Sequence, residues 1–262
     1  MTDKLLLQKD GPIGWIIFNQ PEKRNAVSQE MWEAMPGYVE DVTNDPDVRV
    51  VILRGGGDQS FVSGADISQF KERRRNAEDE ARYSAISKAG GDALAHLQKP
   101  LLAMIYGFCV GGGVSIALNC DLRFAAEDAR FGIPAARLGL GYHYTGMEKL
   151  MHLVGPSNTK DFFFSARTDF SAADALRMGL VNHVVPKAEL ETFTKNYALT
   201  IAKNAPLTIK SAKANVEEIL KPAAARDLAR LDKLIKDCFN SEDYQEGVKA
   251  FGEKRKPQFK GR

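Results

Sequence analysis

Apolar and polar positions alternate along the chain in short blocks whose spacing switches repeatedly between strand-like and helix-like. Leu5 to Lys9 and Ile13 to Phe18 are strand-like runs separated by Asp10-Gly11-Pro12, which predicts a hairpin. Ser28 then offers a helix cap, and Met31, Met35, Tyr38, Val39 and Val42 recur at helical spacing. Pro36 in their midst predicts a kink or the end of an earlier turn. Val50 to Leu53 is the next strand, and it leads to a glycine turn at Phe61-Val62-Ser63-Gly64-Ala65-Asp66-Ile67. A polar stretch from Ser68 to about Arg82 reads as a mobile, exposed segment able to cover a ligand, and a helix from about Glu78 to Leu97 stops at Lys99-Pro100.

The longest apolar run follows. Leu101 to Tyr106 predicts a buried strand, Gly107 and Gly111-Gly112-Gly113 let the backbone turn tightly, and Val114 to Leu118 opens a helix. Leu122 to Ala125 and Arg130 to Gly132 are short strands joined through Glu127-Asp128. Ser171 with Asp174 three residues on predicts a capped helix start, and Gly179 marks its end. Val181 to Val185 is a last strand; from Lys187 the chain reads as helices broken at Pro206 and Pro222. Strands and helices alternate without a sequence repeat, which predicts α/β layering.

Composition narrows the picture. A chain of 262 residues can bury a sizeable core, and the expected organisation is one core over residues 1–200 with a helical region over 201–262. A net charge of +2 gives no argument for nucleic acid, and the Lys71-Glu72-Arg73-Arg74-Arg75 cluster reads as a solvated helix face. Three scattered cysteines predict neither a disulfide framework nor a zinc site and fit a reducing compartment. The opening MTDKLLLQKD lacks the apolar run of a secretory signal, so a cytoplasmic location is expected. Leu101 to Cys120 is uncharged, but four glycines near its centre break the helix that a bilayer would require.

The candidate chemistry lies in the two glycine turns. The first N–H groups of a helix have no partner within it and attract negative charge, and glycine lets a ligand approach the main chain. Backbone donors of this kind can hold a developing oxyanion. The segments KRNAV (Lys23 to Val27), SGADI, GGG and the tail SEDYQEGVKAFGEKRKPQF, in this order and spacing, resemble the crotonase (enoyl-CoA hydratase/isomerase) superfamily. The resemblance implies a crotonase-type (ClpP/crotonase-like) spiral of strand-strand-helix units. It also implies an acyl-CoA substrate whose thioester oxygen sits between the amides of Ala65 and Gly112. It further implies a homo-oligomer, a trimer or dimer of trimers formed through the C-terminal helices, and no cofactor beyond the coenzyme A of the substrate itself.

Carried over residue by residue, the resemblance places coenzyme A along Lys23, Arg24, Ala26, Ser63, Ala65, Asp66, Ile67 and Ser68. Gly112, Ser115 and Ala135 then fall at the acyl end. Phe251 and Lys254 match tail positions that reach the coenzyme A of a neighbouring subunit, where binding would be salt-dependent. The chain departs from the hydratases at the acid and base, because Ser115 and Ala135 stand where those enzymes carry two glutamates. Serine without a partner cannot act as a base near neutral pH, and alanine cannot act at all. Tyr142 and His143 are therefore the candidate catalytic groups beside Ala65 and Gly112. Tyr142 also matches a tyrosine of the methylmalonyl-CoA decarboxylase branch, although that branch has a histidine where this chain has Ala65.

Hydration with a non-standard base, decarboxylation and double-bond isomerisation all follow from this set. So does a non-catalytic acyl-CoA-binding or RNA-associated homologue. Glu148 reads as a surface carboxylate beside Lys149, and His96, His152 and His183 have no partner motif. Ser115 in Gly113-Val114-Ser115-Ile116-Ala117 lies near a serine-hydrolase elbow pattern, with Asp121 or Asp174 and His183 as the partners that reading would need.

Overall fold

The computed structural model describes residues 2–66, 77–142 and 144–262. The chain builds two sheets. Strands β1 (Leu5–Asp10) and β2 (Ile13–Phe18) form the expected hairpin, with Asp10 paired to Ile13 across Gly11-Pro12. β2, β3 (Val50–Gly55), β5 (Leu101–Ile105), β7 (Leu122–Ala126) and β10 (His183–Val185) then run parallel, completing a six-stranded sheet in the order β1-β2-β3-β5-β7-β10. A second, four-stranded sheet has the order β4 (Ser60–Val62), β6 (Phe108–Val110), β8 (Arg130–Gly132) and β9 (Phe170–Ser171).

Three times the chain leaves the large sheet and enters the small one, β3 to β4, β5 to β6 and β7 to β8. Each pass is followed by a helix: α2 (Ala77–Ala95), α3 (Gly112–Ala117) and α4 (Tyr144–Ser165). The strand-strand-helix spiral is thus present. The sequence reading of one strand ending at Tyr106 is corrected: β5 stops at Ile105, and a separate β6 follows after a corner at Gly107. That corner has φ +50°, and a Cβ there would sit 1.9 Å from the Gln59 carbonyl oxygen, so only glycine fits.

The large sheet is buried on both faces, which explains why its strands read as unbroken apolar runs. Val51, Leu53, Leu101, Ala103 and Ile105 face a core shared with the small sheet and helices α1 (Gln29–Asn44) and α3. The alternate residues Val50, Ile52, Leu102 and Met104 face Leu190 and Ala198 of α6 (Leu190–Ala202). In α1 the buried residues are Met31, Met35, Tyr38, Val39 and Val42, as the spacing predicts. The helix nevertheless runs through Pro36 without a break. Proline leaves the Trp32 carbonyl without its helical donor. At that turn Gly90 of α2 comes so close that a Cβ would lie 3.1 Å from the Trp32 oxygen.

Ser28 takes the extended backbone of a cap, but its hydroxyl makes no capping hydrogen bond. The capping box at Ser171 and Asp174 is complete, opening α5 (Ala172–Met178), which Gly179 ends at φ +83°. The polar stretch from Ser68 lies outside the described residues as far as residue 76; from Ala77 the chain is helical to Ala95, close to the helix expected from about Glu78 to Leu97. The last third consists of α7 (Pro206–Leu220), α8 (Leu228–Phe239) and α9 (Glu242–Gly252), with Pro206 at the first turn of α7. The tail folds back along α9, where the Lys260 and Gly261 amides donate to the buried Asp243 carboxylate and Arg255 pairs with Glu246.

Candidate active site

Three turns meet where the two sheets face each other. In the first, Arg24 and Asn25 both adopt left-handed backbone, with φ 51° and 56°. Such a pair is held only where the surroundings over-determine it. Here the fully buried Asn25 side chain supplies the hold: its amide donates to the carbonyls of Gly56 (3.0 Å) and Ser60 (2.7 Å), and its oxygen accepts from the Gln20 amide (3.0 Å). The Ser60 hydroxyl lies 2.9 Å from the Arg24 carbonyl and 3.0 Å from that of Phe108, tying the same turn to β6.

The second turn follows β4. Val27 forms an isolated parallel bridge with Ala65, its amide donating to the Gly64 carbonyl (2.8 Å) and its carbonyl accepting from Asp66 (2.9 Å). In that pattern the bridge uses the groups on either side of Ala65, so the Ala65 N–H points away from Val27. The third turn is the triple glycine. Gly111 caps α3 with φ 56° and ψ −115° and donates to Gly132 (2.8 Å). Gly113 packs backbone to backbone on β4, where a Cβ would lie 2.0 Å from the Val62 carbonyl oxygen.

This contact brings the two glycine turns together. A Cβ on Gly112 would stand 3.7 Å from the Ala65 nitrogen, and one on Gly64 would stand 3.9 Å from the Gly112 nitrogen. Neither of these two amides donates to a backbone carbonyl among the described residues. They border the same small space, and both residues are partly exposed to it.

The opposite end of α3 is pinned by a buried cation. Arg123 donates through Nε to the Leu180 carbonyl (2.7 Å) and through Nη1 to the carbonyls of Ala117 and Cys120, where the helix dipole is negative. Burial pushes its pKa down, yet no carboxylate pairs with it among the described residues. The neighbouring thiols are inert. Burial raises both Cys109 and Cys120, the latter to about 12.

Around the paired amides the expected groups are distributed unevenly. Ser115 is half-buried in the first turns of α3, and Ala135 is buried. Tyr142 is half-buried, its ring packed edge-on against Phe163 at 5.0 Å, and burial raises its phenol above the ordinary value. His143, Ile67 and Ser68 lie outside the described residues. Lys23 pairs with the buried Asp66 carboxylate at 2.8 Å, and that hydrogen bond raises its pKa despite the opposing desolvation. Arg24 holds its guanidinium 4.6 Å above the Phe108 ring. Ala26 is buried between these turns and Ser63 is half-buried, its amide donating to the Arg24 carbonyl (3.1 Å).

Phe251 is 88% exposed at the end of α9, and Lys254 follows in the exposed tail with φ 53°; neither joins the paired turns within one chain. Glu148 is exposed, as expected. The serine-hydrolase arrangement is not assembled. Asp121 pairs with Lys213 (2.9 Å) and accepts from the Leu101 amide, Asp174 belongs to the capping box, and His183 packs among Phe124, Phe193 and Tyr197.

Sequence reasoning left Asn25 and Arg123 without roles. An asparagine at the second of two left-handed positions is a turn signal that could have drawn attention to the first. Among the described residues no cluster of histidine, cysteine and carboxylate side chains could hold a metal ion, and no helix is long and apolar enough to cross a membrane.

A family model described as enoyl-CoA hydratase/isomerase matches residues 8–262. The chain is 36% identical over 261 residues to a short-chain-enoyl-CoA hydratase of Clostridium acetobutylicum, with 99% of each chain covered. It is 32% identical over 257 residues to a crotonyl-CoA hydratase of Syntrophomonas wolfei, with 98% of each covered. Among solved structures, an enoyl-CoA hydratase/carnithine racemase from Magnetospirillum magneticum superposes with a TM-score of 0.94 at 31% identity, covering 100% of this chain and 97% of that one.

Proposed function

The chain belongs to the enoyl-CoA hydratase/isomerase family, and from that premise we propose that it is an acyl-CoA lyase that holds its substrate's thioester oxygen between the Ala65 and Gly112 amides. The observation that carries this reading is the approach of those two amides to one space, with no backbone carbonyl taking either of them among the described residues. As the thioester becomes an enolate, its oxygen gains charge and both hydrogen bonds strengthen. A preorganised donor of this type contributes about 2.7–4 kcal/mol to transition-state stabilisation.

The reaction is the addition of water to a short enoyl-CoA. The water oxygen bonds to the β carbon, its proton passes to a base, the double-bond electrons move into the enolate, and the α carbon then takes a proton. With Ser115 and Ala135 in place of carboxylates, the base comes from the loop before α4. His143 is suited to it because imidazole titrates near neutral pH. Tyr142 is suited to return the proton, since burial keeps its phenol neutral. Lys23 and Arg24 bind the phosphates of coenzyme A. Phe251 and Lys254 reach the coenzyme A of a neighbouring subunit in a trimer or dimer of trimers, a reading supported by exposed Val216, Ile219, Phe239 and Val248 on the C-terminal helices.

A second reading is favoured by the missing carboxylates together with the neutral phenol. It is decarboxylation of a malonyl-type thioester: the bond to the carboxylate breaks, its electrons form the enolate, carbon dioxide leaves, and Tyr142 protonates the α carbon. Mass spectrometry after incubation with crotonyl-CoA, methylmalonyl-CoA and longer enoyl-CoAs separates the two. Gain of water supports the first reading and loss of carbon dioxide the second. Tight acyl-CoA binding with no turnover would sink both and mark a non-catalytic homologue.

A further inference from the structure

A cavity of about 220 Å³ lies at the starts of β3 and β5, beside the end of α1 and the junction of α6 and α7. The paired glycine turns, by contrast, follow the ends of β4 and β6. Val48, Ile201, Ala202 and Leu207 give the cavity an apolar wall, and Arg49, Lys99 and Lys210 also line it. No carboxylate does, among the described residues.

Among the described residues none of the three cations makes an ion pair. Lys99 donates to the carbonyls of Val42 and Asp45 (both 2.6 Å), and Arg49 donates to the Phe259 carbonyl (3.4 Å). Carbonyls satisfy donors without neutralising charge. Burial depresses Lys99; the Asp45 carboxylate opposes this and Arg49 adds to it, while the cavity wall itself, with three cations and no carboxylate among the described residues, carries an excess of positive charge. The α7 start adds to the excess: its cap residue, Ala205, has no side chain to accept from the first amides.

We propose that this cavity is a binding site for a short-chain free carboxylate, its head group between Arg49, Lys99 and Lys210 and its hydrocarbon tail against Val48, Ile201, Ala202 and Leu207. The size fits such a ligand. At about 220 Å³ the cavity lies below the usual span for drug-sized ligands. An inorganic anion would leave the apolar wall unused, and a neutral alcohol would leave the cations unpaired.

Calorimetric titration of hexanoate into the purified protein tests the assignment, with hexan-1-ol and hexylammonium as length-matched controls. Saturable binding of hexanoate alone, at one site per chain, is expected. Lys210→Met and Ala202→Phe should each weaken it at least tenfold, the first by removing charge and the second by filling the cavity; if the larger side chain prevents folding, Lys210→Met alone decides. Saturating coenzyme A should leave hexanoate affinity unchanged, which separates this site from the acyl-CoA site whatever reaction occurs there. Any one of four results overturns the proposal: no saturation at tens of millimolar hexanoate, equal binding of the alcohol, displacement by coenzyme A, or affinity unmoved by Lys210→Met.

Discussion

The paired glycine turns and the loop that precedes α4 are built on different terms. The turns are made of main chain held by main chain: Gly113 lies against the Val62 carbonyl, Val27 bridges Ala65, and Asn25 closes the adjoining turn with three hydrogen bonds. The loop offers side chains instead: Ala135 is buried and Tyr142 is half-buried against Phe163, while His143 lies outside the described residues. The turns therefore resist substitution for steric reasons, while the loop can exchange one acid or base for another without disturbing the fold. A common means of stabilising an enolate can in this way serve several reactions.

The most drastic way to break the contrast is Gly113→Ala. Its methyl group would meet the Val62 carbonyl oxygen at 2.0 Å. Urea unfolding should show a loss above about 4 kcal/mol or no folded protein at all, because backbone cannot yield as a side chain can. Gly112→Pro removes one donor and distorts the turn without a clash of the Gly113 kind, since a Cβ at Gly112 meets nothing nearer than 3.6 Å. It should lower kcat by about 10²–10³, with the protein still folded by circular dichroism. Unchanged turnover would remove Gly112 from the mechanism.

On the loop side, Tyr142→Phe keeps the ring against Phe163 and deletes only the proton. A fall in kcat of about 10² is expected if the phenol is the donor. The pH profile sharpens this. The folded phenol is raised above its ordinary value by burial, so it stays protonated, and its contributions to rate and stability are intact, at every pH below the ordinary phenol range; both are lost as pH rises through the raised value. The tyrosine-dependent limb should therefore lie above about pH 10 and vanish in the phenylalanine variant. The smallest effect expected is that of Lys23→Met, which removes the ammonium beside Asp66. KM for the acyl-CoA should rise about fivefold, near 1 kcal/mol, with kcat unchanged.

Much of the fold was legible because its signals are local. The Gly11-Pro12 hairpin, the α1 face and the Ser171 capping box each depend on residues a few positions apart. The break between β5 and β6 was not, because the Gly107 corner exists only through its contact with Gln59 in another strand connection. In the candidate site, Ala65 and Gly112 were named from the motifs that carry the resemblance, and their turns lie together in the structure. The pairing of Lys23 with Asp66, the hold of Asn25 on Gly56 and Ser60, and the burial of Arg123 against Leu180 join residues far apart in the chain. Spacing along the sequence carries no record of such contacts.

The central claim is that two backbone amides bind the thioester oxygen. Isotope-edited infrared difference spectroscopy of a bound acyl-CoA labelled with carbon-13 at the thioester carbonyl tests it directly. The account predicts a carbonyl stretch shifted to lower frequency on binding, with part of that shift lost in Gly112→Pro. A bound carbonyl stretching at its solution frequency, or a shift that the proline variant leaves intact, would contradict it.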